Sequence, residues 1–101
     1  MPNINAGTIS AYAPVSVAVG TISVQVIAAN VSRAGLIITN TSTGSIWLGF
    51  SGLAATLNGG IFLGASGGVF SMDDYTFNKD AVTAIAHAAS SNLAIQEFYV
   101  I

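Results

Sequence analysis

Few residues in this chain could do chemistry, and the most suggestive spacing is Gly64-Ala65-Ser66-Gly67-Gly68, the G-x-S-x-G of a nucleophile elbow. Asp73 or Asp74 and then His87 follow in the serine, carboxylate, histidine order of α/β-hydrolases. That chemistry needs Ser66 strained between a strand and a helix, with His87 within hydrogen-bond reach. No helical pattern follows Ser66, because Val69-Phe70-Ser71-Met72 reads as a strand. A glycine-rich turn, supplying positions with positive φ, accounts for the same residues. We therefore expect a turn and no catalytic residue.

A second candidate is the loop Asp73-Asp74-Tyr75-Thr76-Phe77-Asn78-Lys79-Asp80. Its three carboxylates and one Asn amide could offer oxygen ligands to Ca²⁺, but they lack the alternation and terminal Glu of an EF-hand. A solvated acidic turn is expected, with the carboxylates accepting turn amides and Lys79 offsetting their charge. His87 stands alone, with neither a second His nor any Cys to complete a zinc site. We expect it on a strand, partly exposed or at a subunit contact. No phosphate-binding glycine motif occurs, and no metal or cofactor is expected. Asn30-Val31-Ser32 and Asn40-Thr41-Ser42 match glycosylation acceptors, although no secretory signal accompanies them.

Two further groups have structural readings. Arg33 is the only Arg in the chain and precedes its most apolar strand. Its planar fork could clamp a carboxylate or backbone carbonyls, within the fold or across a subunit boundary. Trp47, Phe50, Phe62, Phe70, Tyr75, Phe77, Phe98 and Tyr99 could include a sugar-stacking platform; at this length most are expected to fill the core.

The elements that must position these residues are strands. Apolar residues make up 52% of the 101 residues and charged ones only 6%, against about 25% charged in an ordinary soluble domain. No apolar stretch approaches the roughly 18 residues of a membrane helix. The period is two: Val15, Val17 and Val19 alternate with Ser16 and Ala18, then Ile22, Val24 and Val26 with Ser23 and Gln25. Gly20-Thr21 between them reads as a tight hairpin turn. Further strands are expected over 34–39, 45–50, 61–63, 69–72, 82–88 and 93–100, separated by turn residues. The alanine-rich 81–89 stretch competes as a helix, but Val82, Thr83 and Ile85 are β-branched. About eight short strands predict an all-β fold, a single antiparallel β-sandwich of jelly-roll or Ig-like type spanning 13–101. Residues 1–12 read as an N-terminal arm, and the small and apolar residues of 2–14 could lie along a partner or add a strand to it.

The charge shortage bears on partners. A net charge of −2 excludes electrostatic capture of nucleic acid. A surface of Ser, Thr, Asn and Gly with so few charges is expected to pack against other chains.

The run Ala28-Ala29-Asn30-Val31-Ser32-Arg33-Ala34-Gly35-Leu36-Ile37-Ile38-Thr39-Asn40-Thr41-Ser42 resembles a stretch of small β-sandwich proteins encoded among tailed-bacteriophage structural genes. Ile46-Trp47-Leu48-Gly49, Gly60-Ile61-Phe62-Leu63, 81–86 and Gln96-Glu97-Phe98 extend the resemblance over roughly 15–98. Its most specific element is the Asn30, Arg33, Gly35, Asn40 frame. Gly64 to Gly68 departs from the proline-containing turn of that pattern. The resemblance implies a virion component, foremost a capsid decoration (cement) protein on the capsid surface. It would be made in the host cytoplasm, bind the major capsid protein and form a homo-oligomer, dimer or trimer. The alternative is a tail, neck or fibre-associated module for attachment or host glycan binding. No enzyme activity, nucleic acid or membrane partner is implied.

Overall fold

The computed structural model describes residues 8–73 and 75–101. Among them are nine strands: β1 (Ile9–Ala11), β2 (Val15–Val19), β3 (Val24–Ile27), β4 (Arg33–Asn40), β5 (Ile46–Gly49), β6 (Ile61–Leu63), β7 (Val69–Ser71), β8 (Val82–Ala86) and β9 (Ser91–Val100). They form two antiparallel sheets. The first runs β1-β9-β4-β7, with β2 also paired to β9, and the second runs β3-β8-β5-β6. The pairing is nested: β2 with β9, β3 with β8, β4 with β7 and β5 with β6. That is one long antiparallel hairpin rolled into two sheets, the jelly roll. Of the two topologies expected, the Ig-like one is not formed.

Residues 20–23, expected to contain a hairpin turn, instead carry the chain from one sheet to the other. β2 pairs only with β9 and β3 only with β8. A two-residue hairpin turn needs positive φ at its first central residue, and Gly20 is not among the residues with positive φ. The crossing is held by the Ala86 amide, which donates to the Gly20 carbonyl at 2.8 Å. β8 stops at Ala86, two residues earlier than expected, and β9 begins at Ser91 inside the anticipated turn. The connection turns at Ser90, where φ is 63°.

Part of the expected arm is used within the chain. Ile9, Ser10 and Ala11 pair with Val100, Tyr99 and Phe98. Between β1 and β2 the Tyr12 amide donates to the Glu97 carbonyl at 3.0 Å, and Gln96 Nε2 donates to the Tyr12 carbonyl at 2.7 Å. Residues 1–7 lie outside the described residues.

The core is aliphatic. Val19, Leu36, Ile38, Ile46, Leu48, Leu63, Val82, Leu93 and Ile95 are at most 2% exposed, with Ala84 and Ala86 filling the narrow spaces between them. The aromatic core expected from the sequence is not built. Only Trp47 and Phe70 are buried, while Phe62, Tyr75 and Phe77 are exposed. Inward positions alternate with outward ones along each strand, and aliphatic side chains occupy the inward rows. Trp47 lies on the outward row of the second sheet with Phe62 and Ile85. There the 50–60 connection folds back over the sheet. Thr83 Oγ1 donates to the Leu53 carbonyl at 2.6 Å, and the Ala55 amide donates to Ser23 Oγ at 2.8 Å.

One ion pair is buried at the end of the sandwich where β4 begins. Arg33, 1% exposed, donates from Nε to Glu97 Oε2 at 2.7 Å. Its remaining nitrogens donate to the carbonyls of Asn78 (3.1 Å), Asp80 (2.9 Å) and Ala28 (2.8 Å). Asn30 Nδ2 adds donations to Glu97 Oε2 (3.3 Å) and the Tyr12 hydroxyl (3.0 Å). One guanidinium thus ties the β3–β4 connection and the 78–80 segment to β9. Removing one partner of such a pair leaves a buried charge uncompensated. Glu97→Ala should therefore cost about 3 kcal/mol, read as a lower urea midpoint at unchanged slope. Arg33→Lys should recover little, because one ammonium cannot serve a carboxylate and three carbonyls in the geometry of the fork.

Candidate functional site

The residues that could have made an active site are separate turn residues. Ser66 is an exposed turn residue with φ of 56°, and its amide donates to the Ser42 carbonyl at 2.8 Å. His87 is exposed and lies just past the end of β8, not on a strand as expected; its amide donates to the Ser45 carbonyl at 3.0 Å. No side-chain hydrogen bond joins the two, and the segment after Ser66 runs into β7, not into a helix. Among the described residues no group of three His, Cys, Asp or Glu could hold a metal ion. Asp74 lies outside the described residues.

Asp73 has a local role. Its Oδ1 accepts the amides of Tyr75 (2.9 Å) and Thr76 (3.0 Å) and the Thr76 hydroxyl (3.1 Å), and its own amide donates to Thr76 Oγ1 at 2.9 Å. The Tyr75 and Thr76 amides, then the Thr76 hydroxyl, hold the Asp73 carboxyl below the ordinary carboxylate value. Asn78 Oδ1 accepts the Asp80 amide at 3.2 Å, closing the next turn.

In the Asn30, Arg33, Gly35, Asn40 frame, the three polar residues have a structural explanation. Asn30 Oδ1 accepts the Ser32 amide at 3.0 Å, shaping the turn that delivers Arg33 to its clamp. A Cβ on Gly35 would meet the Phe98 ring at 3.5 Å, an ordinary contact, so nothing in the structure requires glycine there. Asn40 is fully buried. Its Nδ2 donates to the carbonyls of Gly44 (2.7 Å) and Leu63 (3.0 Å), and Oδ1 accepts from the Ser42 amide and hydroxyl (3.0 and 2.6 Å). Both candidate glycosylation amides are consequently engaged inside the fold.

What the fold does present is an uncharged surface. The chain has six charged side chains. Arg33 and Glu97 are buried against each other, and the other four are Asp73, Asp74, Lys79 and Asp80, all within one loop. The register of the first sheet defines its outward rows. Ser16, Ala94, Thr39 and Val69 form one row, Gln96, Ile37 and Ser71 a second, and Ala11, Phe98 and Gly35 a third. None is charged, and Ile37 and Val69 are 38% and 57% exposed. The strand lengths of this sheet, at about 3.3 Å per residue and 4.8 Å between strands, make this face roughly 450 Å².

A second feature lies on the flank between the edge strands β6 and β7. It is a groove of about 520 Å³ lined by Phe50, Ile61, Phe70, Tyr75, Phe77 and their neighbours. No sequence pattern brings Phe50, Ile61, Phe70 and the 75–78 loop together, because they are four separate segments of the chain. The signal that could have set Tyr75 and Phe77 apart from the core is their place in the polar loop 73–80.

Comparisons with protein-family models, with curated proteins and with solved structures return no match. No helix among the described residues is long and apolar enough to cross a membrane.

The Asp73 turn gives a pH prediction. A carboxylate whose folded value is depressed contributes stability that is present above its unfolded value and lost as pH falls through the folded one. The Tyr75 and Thr76 amide resonances should therefore titrate together with Asp73, below the usual carboxylate range. Asp73→Ala should abolish that transition and raise amide exchange at both residues, whereas unchanged exchange would exclude the cap.

Proposed function

We propose that this chain is a structural component of a bacteriophage virion, a capsid decoration protein that binds the outer face of the major capsid protein shell and stabilises it. The observation that carries the reading is the uncharged outer face of the first sheet, combined with confinement of every unburied charged side chain to residues 73–80. Such a face is poorly suited to permanent solvation and well suited to burial against neutral protein. At roughly 450 Å² it supplies a little over half of the roughly 800 Å² that each partner buries in a standard interface. Burial there is worth about 25 cal/mol per Å² before association costs. The resemblance of residues 28–42 supplies the phage setting. The jelly roll, which recurs in viral capsid and lectin domains, supports it by analogy of fold alone. The same face would serve self-association into a dimer or trimer, and localisation would be the capsid surface after synthesis in the host cytoplasm.

The test is co-purification with DNA-filled particles and copy number. Hundreds of copies per particle are expected; six or twelve would move the chain to the neck or tail, and absence from particles would overturn the reading. Ile37→Lys with Val69→Lys, both outward and exposed, should abolish particle binding at unchanged thermal melting.

A further inference from the structure

We propose that the open edge of β2 pairs with β2 of a second copy of this chain, antiparallel about a two-fold axis at Val17. Among the described residues five strands lie at sheet edges: β1, β2 and β7 in the first sheet, β3 and β6 in the second. β1, β6 and β7 have three residues each, and β3 carries a register break between Gln25 and Ile27. Shortness and bulges of this kind blunt an edge against further pairing. β2 has neither device. Its five residues run in unbroken register along β9 and pair with no other strand among the described residues. No Asp, Glu, Lys, Arg or His occurs in residues 1–32, so the charge that commonly guards an edge is missing as well. Amides and carbonyls that face away from β9 suit one kind of occupant, another strand.

The packing behind this edge is open too. One inward row of the first sheet runs Val15, Ile95, Ile38, Phe70. Phe70 closes one end at 8% exposed, and Ile38 and Ile95 are at most 2% exposed, but Val15 at the other end is 46% exposed. β3 touches β2 on this flank, and there Val24, in register with the buried Ala84, is 41% exposed. Both sheets therefore leave a valine of an inward row uncovered on the same side.

Symmetry selects a second copy. Pro14, which has no N–H, bounds the edge at one end, and the chain leaves the sheet at Gly20. Full antiparallel overlap of the five residues sets Val15 opposite Val19 of the second copy, Ser16 opposite Ala18, and Val17 opposite its own equivalent. Val15 is then covered by a β-branched side chain at the spacing of a cross-strand pair. A segment of a different protein would have to be ordered as it bound. In a second copy β2 is already held against β9, and neither edge carries a charge to repel the other. The contact is separate from the outer face of the first sheet. It sets two such faces side by side as one of roughly 900 Å², above the roughly 800 Å² of a standard interface. The use of that joint face rests on the virion reading; the pairing itself does not.

Sedimentation equilibrium of the purified full chain tests the pairing. A dimer in concentration-dependent equilibrium with monomer is expected, with amide exchange slowing within 15–19 as it forms and unchanged at 69–71. Ser16→Lys with Ala18→Lys sets like charges opposite each other twice across the axis and should weaken the dimer roughly tenfold. Ser16→Lys with Ala18→Glu sets opposite charges at the same two places and should restore it. Ser16 and Ala18 are exposed in the single chain, so thermal melting of dilute protein should be unchanged in both variants. Monomer alone up to millimolar concentration would overturn the proposal, as would equal weakening in the two variants. So would a dimer that survives the lysine pair and is lost in Ile37→Lys with Val69→Lys. Absence from particles would overturn the virion reading and leave the dimer standing, so the two failures are distinguishable.

Discussion

The structure depends on where one guanidinium is placed. Arg33 begins β4 and is buried where three segments distant in sequence converge, bonded to Glu97 and to three backbone carbonyls. Carbonyls at loop ends need donors when water is excluded, and a fork with fixed geometry supplies several at once. Glu97 balances the charge, and Asn30 meets the same carboxylate oxygen. No buried side-chain nitrogen or oxygen among the described residues lacks a partner. At the other end of β4, Asn40 performs the neutral counterpart by bonding the Gly44 and Leu63 carbonyls. The central strand is thus anchored at both ends by a polar side chain, with aliphatic packing between.

That arrangement also shapes the surface. Because the only Arg and the only Glu are used internally, the exterior keeps only the charges of one loop. The outer face of the first sheet is neutral, and the apolar groove adjoins the acidic loop. The two regions differ in chemistry and so in the partners they suit. A neutral face can meet a copy of itself without repulsion, whereas the groove offers the exposed rings of Tyr75 and Phe77.

Much of the fold was legible in the sequence because its period is two. Alternation located the strands to within two residues, and the turn residues between them separated the elements. Val15 to Val26 shows where that signal stops. The same alternation describes a hairpin within one sheet and a crossing between two, and only the backbone at Gly20 distinguishes them. β1 was read as part of an arm that could add a strand to a partner; the strand it joins is β9 of its own chain. The aromatics were misassigned for a similar reason. Composition says that a ring is apolar, not that its row faces outward, as at Phe62, or that it belongs to a loop, as at Tyr75.

By itself the sequence determined that the chain is a β-sandwich with few charges, that Ser66 and His87 sit in poor contexts for catalysis, and that Arg33 would have a structural use. These follow from local period, residue count and side-chain geometry. Tertiary structure alone decided that the roll is nested, that Glu97 is the acid answering Arg33, and that four separate segments line one groove. Those facts depend on which strands pair across 60 and more residues of chain, as Arg33 and Glu97 do over a separation of 64. Long-range pairing is set by the mutual fit of whole sheets, and no local pattern encodes it.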